Sequence, residues 1–163
     1  MSEPTELQTD VFSIELYDVG VVFGVGGTQE AFAREFCRLL NYGDDDTRET
    51  VGHAKEGTER EVPPVGVAFS SRTSGDAGLW MPKKPDCVSE IGTVAHEAAH
   101  ITFHIALRKG IEYTTHGGRL GWVNDEAFTY LIGHITRGYL RFINRTIEAA
   151  EEASYVLDIP SPS

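Results

Sequence analysis

Val94-Ala95-His96-Glu97-Ala98-Ala99-His100 is the stretch on which the reading of this chain turns. It places two histidines four residues apart, with a glutamate directly after the first. Four residues of α-helix turn the chain by about 400°, roughly 40° past a full turn, and advance it by about 6 Å. The two imidazoles then share one face and can converge on one metal ion. A Zn–N bond is about 2.0–2.1 Å long, and a tetrahedral catalytic site takes three protein ligands and leaves the fourth position to water. Glu97 projects about 100° to the side of His96, where it can accept a proton without competing as a ligand. The expectation is a zinc-dependent hydrolase with His96 and His100 as metal ligands and Glu97 as general base.

The motif is short enough to arise by chance, so its flanks must support a helix. Ser89 and Thr93 are candidate N-caps, and Val94-Ala95 and Ile101 to Leu107 supply apolar residues at helical spacing. Gly110 after Arg108-Lys109 is a stop signal, which predicts a helix over about 90–109. Upstream, residues 11–25 are β-branched and aromatic and read as one bent strand or two short ones. Gly26-Gly27-Thr28 closes them; its glycines lack the G-x-G-x-x-G spacing of a nucleotide loop, so they read as a turn. Thr28 then caps an amphipathic helix over 29–40, carrying Phe32, Phe36, Leu39 and Leu40. Cys37 lies on its apolar side. Residues 41–62, with Asp44-Asp45-Asp46, Gly52 and Gly57, read as a solvated loop without the ligand spacing of a calcium-binding EF-hand. Val65 to Ser70 reads as a core strand, and a polar turn over 71–75 leads to a second apolar piece, Ala77 to Met81, as a hairpin.

Downstream, a Gly-rich loop over 114–122 precedes a long helix over about 124–145, with Phe128, Leu131, Ile132, Ile135, Tyr139, Phe142 and Ile143 on its apolar face. Gly133 and Gly138 each cost that helix roughly 1 kcal/mol relative to alanine. Close packing against Ala95, Ala98 and Ala99 of the histidine helix would offset it. The fold class expected is α+β: a small twisted sheet with one packed helix and two central helices carrying the metal. Residues 1–10 are expected to form a disordered tail, 11–146 one domain, and 147–163 an acidic, partly helical tail.

The 163 residues carry a net charge of −11. No basic stripe offsets that excess, which argues against a nucleic-acid partner. No apolar run reaches the 18 or so residues of a membrane span, and the polar, acidic start is unlike a signal peptide, so a cytoplasmic protein without a membrane partner is expected. Two cysteines, Cys37 and Cys87, make no disulfide framework.

Two histidines leave a catalytic zinc site one ligand short. Glu126, in Asn124-Asp125-Glu126-Ala127 at the start of the second long helix, is the first choice for the third; His116 and Asp125 are the alternatives. A carboxylate is favoured there by the helix dipole, with Asn124 as N-cap. His104 continues the series His96, His100, His104, but three successive turns span about 12 Å, too far to close on one ion. Tyr130 and His134 lie four and eight residues after Glu126. Either could steady a ligand or donate to a developing oxyanion, and His116, on its Gly-rich loop, is a further candidate donor.

With Glu126 added, the pattern resembles the gluzincins, the thermolysin-like branch of zincin metallopeptidases. Val94 to His100 and Asn124-Asp125-Glu126-Ala127-Phe128-Thr129-Tyr130-Leu131-Ile132-Gly133 are together similar to the small zincin-like proteins encoded by tailed bacteriophages. The resemblance covers residues 88–140 well and the N-terminal half loosely. It implies a zincin fold, zinc on His96, His100 and Glu126, Glu97 as base, and a peptide or protein substrate, with the host cytoplasm as location for a phage-encoded chain. Tyr130 stands where thermolysin-like enzymes place an aspartate. In zincins an upstream edge strand holds the substrate by strand addition, a role that falls here to Leu79-Trp80-Met81. The competing reading is a non-catalytic, zinc-stabilised interaction protein, such as a phage factor that binds a host protein.

Overall fold

The computed structural model describes residues 6–58, 64–111 and 125–157; of 57, 58, 125, 126 and 146–157 it describes the backbone alone. The β-branched N-terminal run forms two strands, β1 (Gln8–Ile14) and β2 (Val19–Val25), paired antiparallel from Gln8↔Val25 to Ile14↔Val19. A 3-10 turn, Glu15–Tyr17, reverses the chain, and Asp18 takes a left-handed conformation (φ 48°) to close it. Asp tolerates that region better than bulkier residues do. Gln8 to Asp10 thus belong to a strand, where a tail was expected.

The hairpin predicted downstream is present as β3 (Val67–Ser70) and β4 (Ala77–Met81), paired antiparallel from Val67↔Trp80 to Ser70↔Ala77. Its turn is held by side chains: Ser71 Oγ accepts the N–H groups of Thr73 and Ser74, and the Ser74 hydroxyl donates to Asp76 Oδ2 (2.6 Å). Asp76 Oδ1 accepts the Gly20 N–H at 2.8 Å, tying the turn to β2. β4 pairs parallel to β2, from Val21↔Ala77 to Val25↔Met81, so the sheet order is β1-β2-β4-β3. All five β4 residues are buried. Leu79-Trp80-Met81 therefore lies in a central strand and cannot receive a substrate; the edge on that side is β3.

Side-chain alternation divides the sheet into two packed faces. Val21, Phe23, Val25, Ala77, Leu79 and Met81 share one core with two long helices, α3 (Val88–Lys109) and α4 (Asp125–Leu157). Val22, Trp80 and Phe69 share the other with α1 (Gln29–Leu39) and α2 (Asp44–Thr58). The α+β class is present, with helices on both faces rather than one helix packed on the sheet. α2 replaces the expected loop. Asp44, Asp45 and Asp46 form its first turn, where the helix dipole favours negative charge, and among its described side chains only Val51 and Ala54 are buried.

The caps follow local chemistry. Thr28 Oγ1 accepts the Ala31 N–H at 3.1 Å at the start of α1, as expected. α3 is capped at Cys87 rather than at Ser89 or Thr93, with no side-chain bond from Cys87 itself. Glu90 instead reaches back to the Asp86 N–H (2.9 Å) and to Lys83 Nζ (2.7 Å). Gly110 ends the helix at φ 67°, the left-handed turn that glycine allows without strain.

α3 and α4 meet through Val94, Ala98, Ile101 and Ile105 on one side and Leu131, Ile135, Tyr139 and Phe142 on the other, all in one core. The α4 glycines do not serve that contact. A Cβ on Gly138 would lie 3.0 Å from Phe12 and 3.2 Å from Phe23, so this glycine admits two rings of the sheet; one on Gly133 would, among the described residues, meet Arg137 of its own helix. The fully buried Tyr139 hydroxyl donates to the Gly24 carbonyl at 2.8 Å, fastening α4 to β2. Among the described residues no helix is long and apolar enough to cross a membrane.

Candidate metal centre

On α3 the two motif histidines sit on an exposed stripe while Val94, Ala98 and Ile101 face the core. Their Nε2 atoms lie 3.1 Å apart, with the rings at 81°. Two Zn–N bonds of about 2.05 Å at a tetrahedral angle hold their nitrogens about 3.3 Å apart, so the donor pair fits one zinc ion. Exposed imidazoles gain little from pairing with each other where water competes for both nitrogens. A common ligand would give them a reason to converge.

Glu97 is half-buried and lines, with His100, Ile101 and His104, a cleft of about 470 Å³ between α3 and the β3 segment from Gly66 to Ser70. Its closest framing comes from Gly66. A Cβ there would meet Met81 Sδ at 2.6 Å, Thr93 Cγ2 at 3.1 Å and Glu97 Cγ at 3.5 Å. The bare glycine lets the chain leading into β3 lie directly on the carboxylate's stem. Sequence reasoning missed this residue; its one signal was a glycine just ahead of a strand, which often marks close backbone approach.

His104 is half-buried one turn beyond His100, and its Nε2 lies 3.2 Å from the Ser74 carbonyl oxygen. Burial pushes its pKa below the ordinary histidine value, while the Ser74 carbonyl works in the opposite direction. The neutral ring must carry its proton on Nε2 to donate to that carbonyl. His104 is thus a clasp between α3 and the β3–β4 turn, consistent with its exclusion as a third ligand.

The remaining expected site residues are placed unevenly. Glu126 and Asp125 are in the first turn of α4, on the helix that packs against α3, and their side chains lie outside the described residues, as does His116 altogether. Tyr130 is 60% exposed and stacks on His134 at 5.5 Å and 13°, and His134 in turn lies 5.0 Å from Phe12 of β1. Neither lines the cleft. Among the described residues, Asp86, Cys87 and Glu90 bring three metal-capable atoms within 4.8 Å of one another. Their arrangement is accounted for by the α3 cap, since Glu90, its pKa lowered chiefly by Lys83, already accepts from Lys83 and Asp86.

Compared with protein families, curated proteins and solved structures, the chain matches none.

Proposed function

We propose that this chain is a zinc-dependent peptide hydrolase of the zincin type, with Glu97 as its general base. The observation that carries the reading is the convergence of His96 and His100, Nε2 to Nε2 at 3.1 Å, beside a half-buried glutamate in a cleft bounded by an edge strand. Zinc held by His96, His100 and Glu126 would supply the Lewis acidity that polarises a carbonyl and acidifies a water.

The chain's own residues do the rest. The outer edge of β3 has no partner strand among the described residues, and its free N–H and C=O groups suit an extended peptide added as a further strand. A peptide held there runs along the cleft past Glu97 and His100. Glu97 takes the proton of the attacking water and returns it to the leaving amine. His116 is the proposed donor to the developing oxyanion; Tyr130, exposed and stacked on His134 outside the cleft, is not placed to serve.

Glu97→Gln tests the reading. The variant should bind zinc as the unaltered protein does and lose peptide cleavage by about a hundred-fold or more, the lower range of general-base catalysis. Undiminished cleavage would overturn the assignment of Glu97. Zinc bound by a protein that cleaves no peptide would favour the interaction-protein reading.

A further inference from the structure

β3 borders two cavities, and only one of them belongs to the metal cleft. On the opposite face of the sheet a cavity of about 360 Å³ opens between β3 and α2. Its apolar walls are Val67 and Phe69 of β3 with Ala54 of α2, and the Tyr42 ring stands at its side. Arg72, in the turn after β3, donates to Glu49 of α2 (2.6 Å to Oε2), tying that turn to the helix at the rim. Gln29 lines it as well; this side chain is 7% exposed, and its Oε1 has no hydrogen-bond partner among the described residues. A buried carbonyl oxygen left without a donor is costly, and it is met when a ligand supplies one.

Register decides how the two cavities are related. Val67 and Phe69 pair with Trp80 and Gly78 on the α1–α2 face, whereas Ala68 pairs with Leu79 on the α3–α4 face. A strand added to the free edge of β3 obeys the same alternation. Its residue opposite Ala68 points into the cleft with Glu97 and His100, and the residues opposite Val67 and Phe69 point into the α2 cavity. One bound peptide therefore meets both sites with successive side chains.

We propose that the α2 cavity is a specificity subsite for this peptide, taking a large aromatic side chain with a hydrogen-bond donor at its tip, tyrosine or tryptophan, next to the residue that lies over Glu97. The inference rests on the reading of β3 as the peptide-binding edge. The ring is received by Phe69, Val67 and Ala54, and its O–H or N–H is directed to Gln29. An alanine at that position leaves the cavity empty; a phenylalanine fills it and leaves the Gln29 carbonyl unmet.

The test measures binding and cleavage separately. Fluorescent extended peptides carrying Tyr, Phe or Ala at one scanned position are titrated against Glu97→Gln by anisotropy, and the same peptides are offered to the unaltered protein for cleavage. At one position Tyr should bind about ten-fold or more tighter than Ala, the scale of burying one aromatic side chain. Thr50→Trp, which fills the cavity from a half-exposed position on α2, should remove that preference, and Gln29→Leu should erase the advantage of Tyr over Phe while keeping that of Phe over Ala. Circular dichroism and melting of each variant identify any that fails to fold, and the other then carries the test. A Tyr preference abolished by Thr50→Trp without any cleavage would support the subsite and overturn the hydrolase. Cleavage with no aromatic preference, or one that survives both variants, would overturn the subsite and leave the hydrolase standing. No binding and no cleavage would overturn both.

Discussion

Replacing Gly78 by alanine probes the packing of α1 on the sheet with a predicted sign opposite to the usual one. A glycine inside a strand is worse than alanine by roughly 0.5–1 kcal/mol, so on an uncovered β4 the substitution would stabilise the protein. Here the added methyl would lie 2.9 Å from Phe36 Cδ2 and 3.1 Å from Phe32 Cε1 and Cζ. Carbon atoms pack best at about 3.5–4.0 Å, so these contacts are short by about 0.4–1.1 Å. Neither ring can retreat easily. Phe32 and Phe36 are 0% and 1% exposed, with Phe69 at 5.1 and 5.9 Å from their centroids and Tyr42 at 5.5 Å from Phe36. Overpacking of this kind costs about 1–3 kcal/mol, which exceeds the entropic gain and leaves a net loss of roughly 1–2 kcal/mol. At about 2–4 °C per kcal/mol for a chain of this size, Tm should fall by about 2–8 °C. Gly52→Ala on α2 is the internal control: beyond its own helix backbone no atom of the described residues lies within 4 Å of its Cβ position, so it should stabilise by about 0.5–1 kcal/mol. Urea unfolding of both, and of Gly78→Ala combined with Phe36→Leu, measures the terms; the pair should couple favourably by about 0.5 kcal/mol or more. Gly78→Ala more stable than the unaltered protein would refute the placement of the two rings over β4.

Zinc should raise the stability of the unaltered protein by about 2.7 kcal/mol at a hundred times its Kd, or about 5–10 °C in Tm. His96→Ala should lose most of that increment, and elemental analysis should find it depleted of zinc. Tyr139→Phe should cost about 1 kcal/mol in urea unfolding through the lost bond to the Gly24 carbonyl; no measurable cost would mean that the bond is absent. Burial pushes the Tyr139 phenol far above its ordinary pKa, so it stays protonated in the folded chain while the unfolded chain ionises near pH 10. Its contribution is therefore fully present below that pH and lost as pH rises above it, and Tyr139→Phe should flatten the alkaline fall in stability. An equally steep fall in the variant would place the titrating group elsewhere.

Local features of this chain were legible because their physics is local. Thr28 as a cap, Gly110 as a stop, and the shared face of His96 and His100 depend on one helix and its immediate neighbours, and each appears where the pattern placed it. The β3–β4 hairpin was equally readable from two apolar runs and a polar turn. α2 was not, since among its described side chains only Val51 and Ala54 mark the buried side among charges and glycines, too few to show a period.

Which strand became an edge lay beyond local pattern. Val65 to Ser70 and Ala77 to Met81 read alike as apolar strands, but β4 was drawn inside by its parallel pairing with β2, more than fifty residues earlier, and β3 was left on the rim. The unbroken apolar run of β4 was a hint of burial on both faces. Gly133 and Gly138 announced room for a close neighbour without naming it, and the neighbour of Gly138 proved to be Phe12 and Phe23 rather than α3. Residue spacing brought two imidazoles together because one helix carries both. Placing Glu97 against β3, with cavities on both sides of that strand, required the sheet to order its strands, since strand pairing and layer packing depend on contacts between segments far apart in the chain.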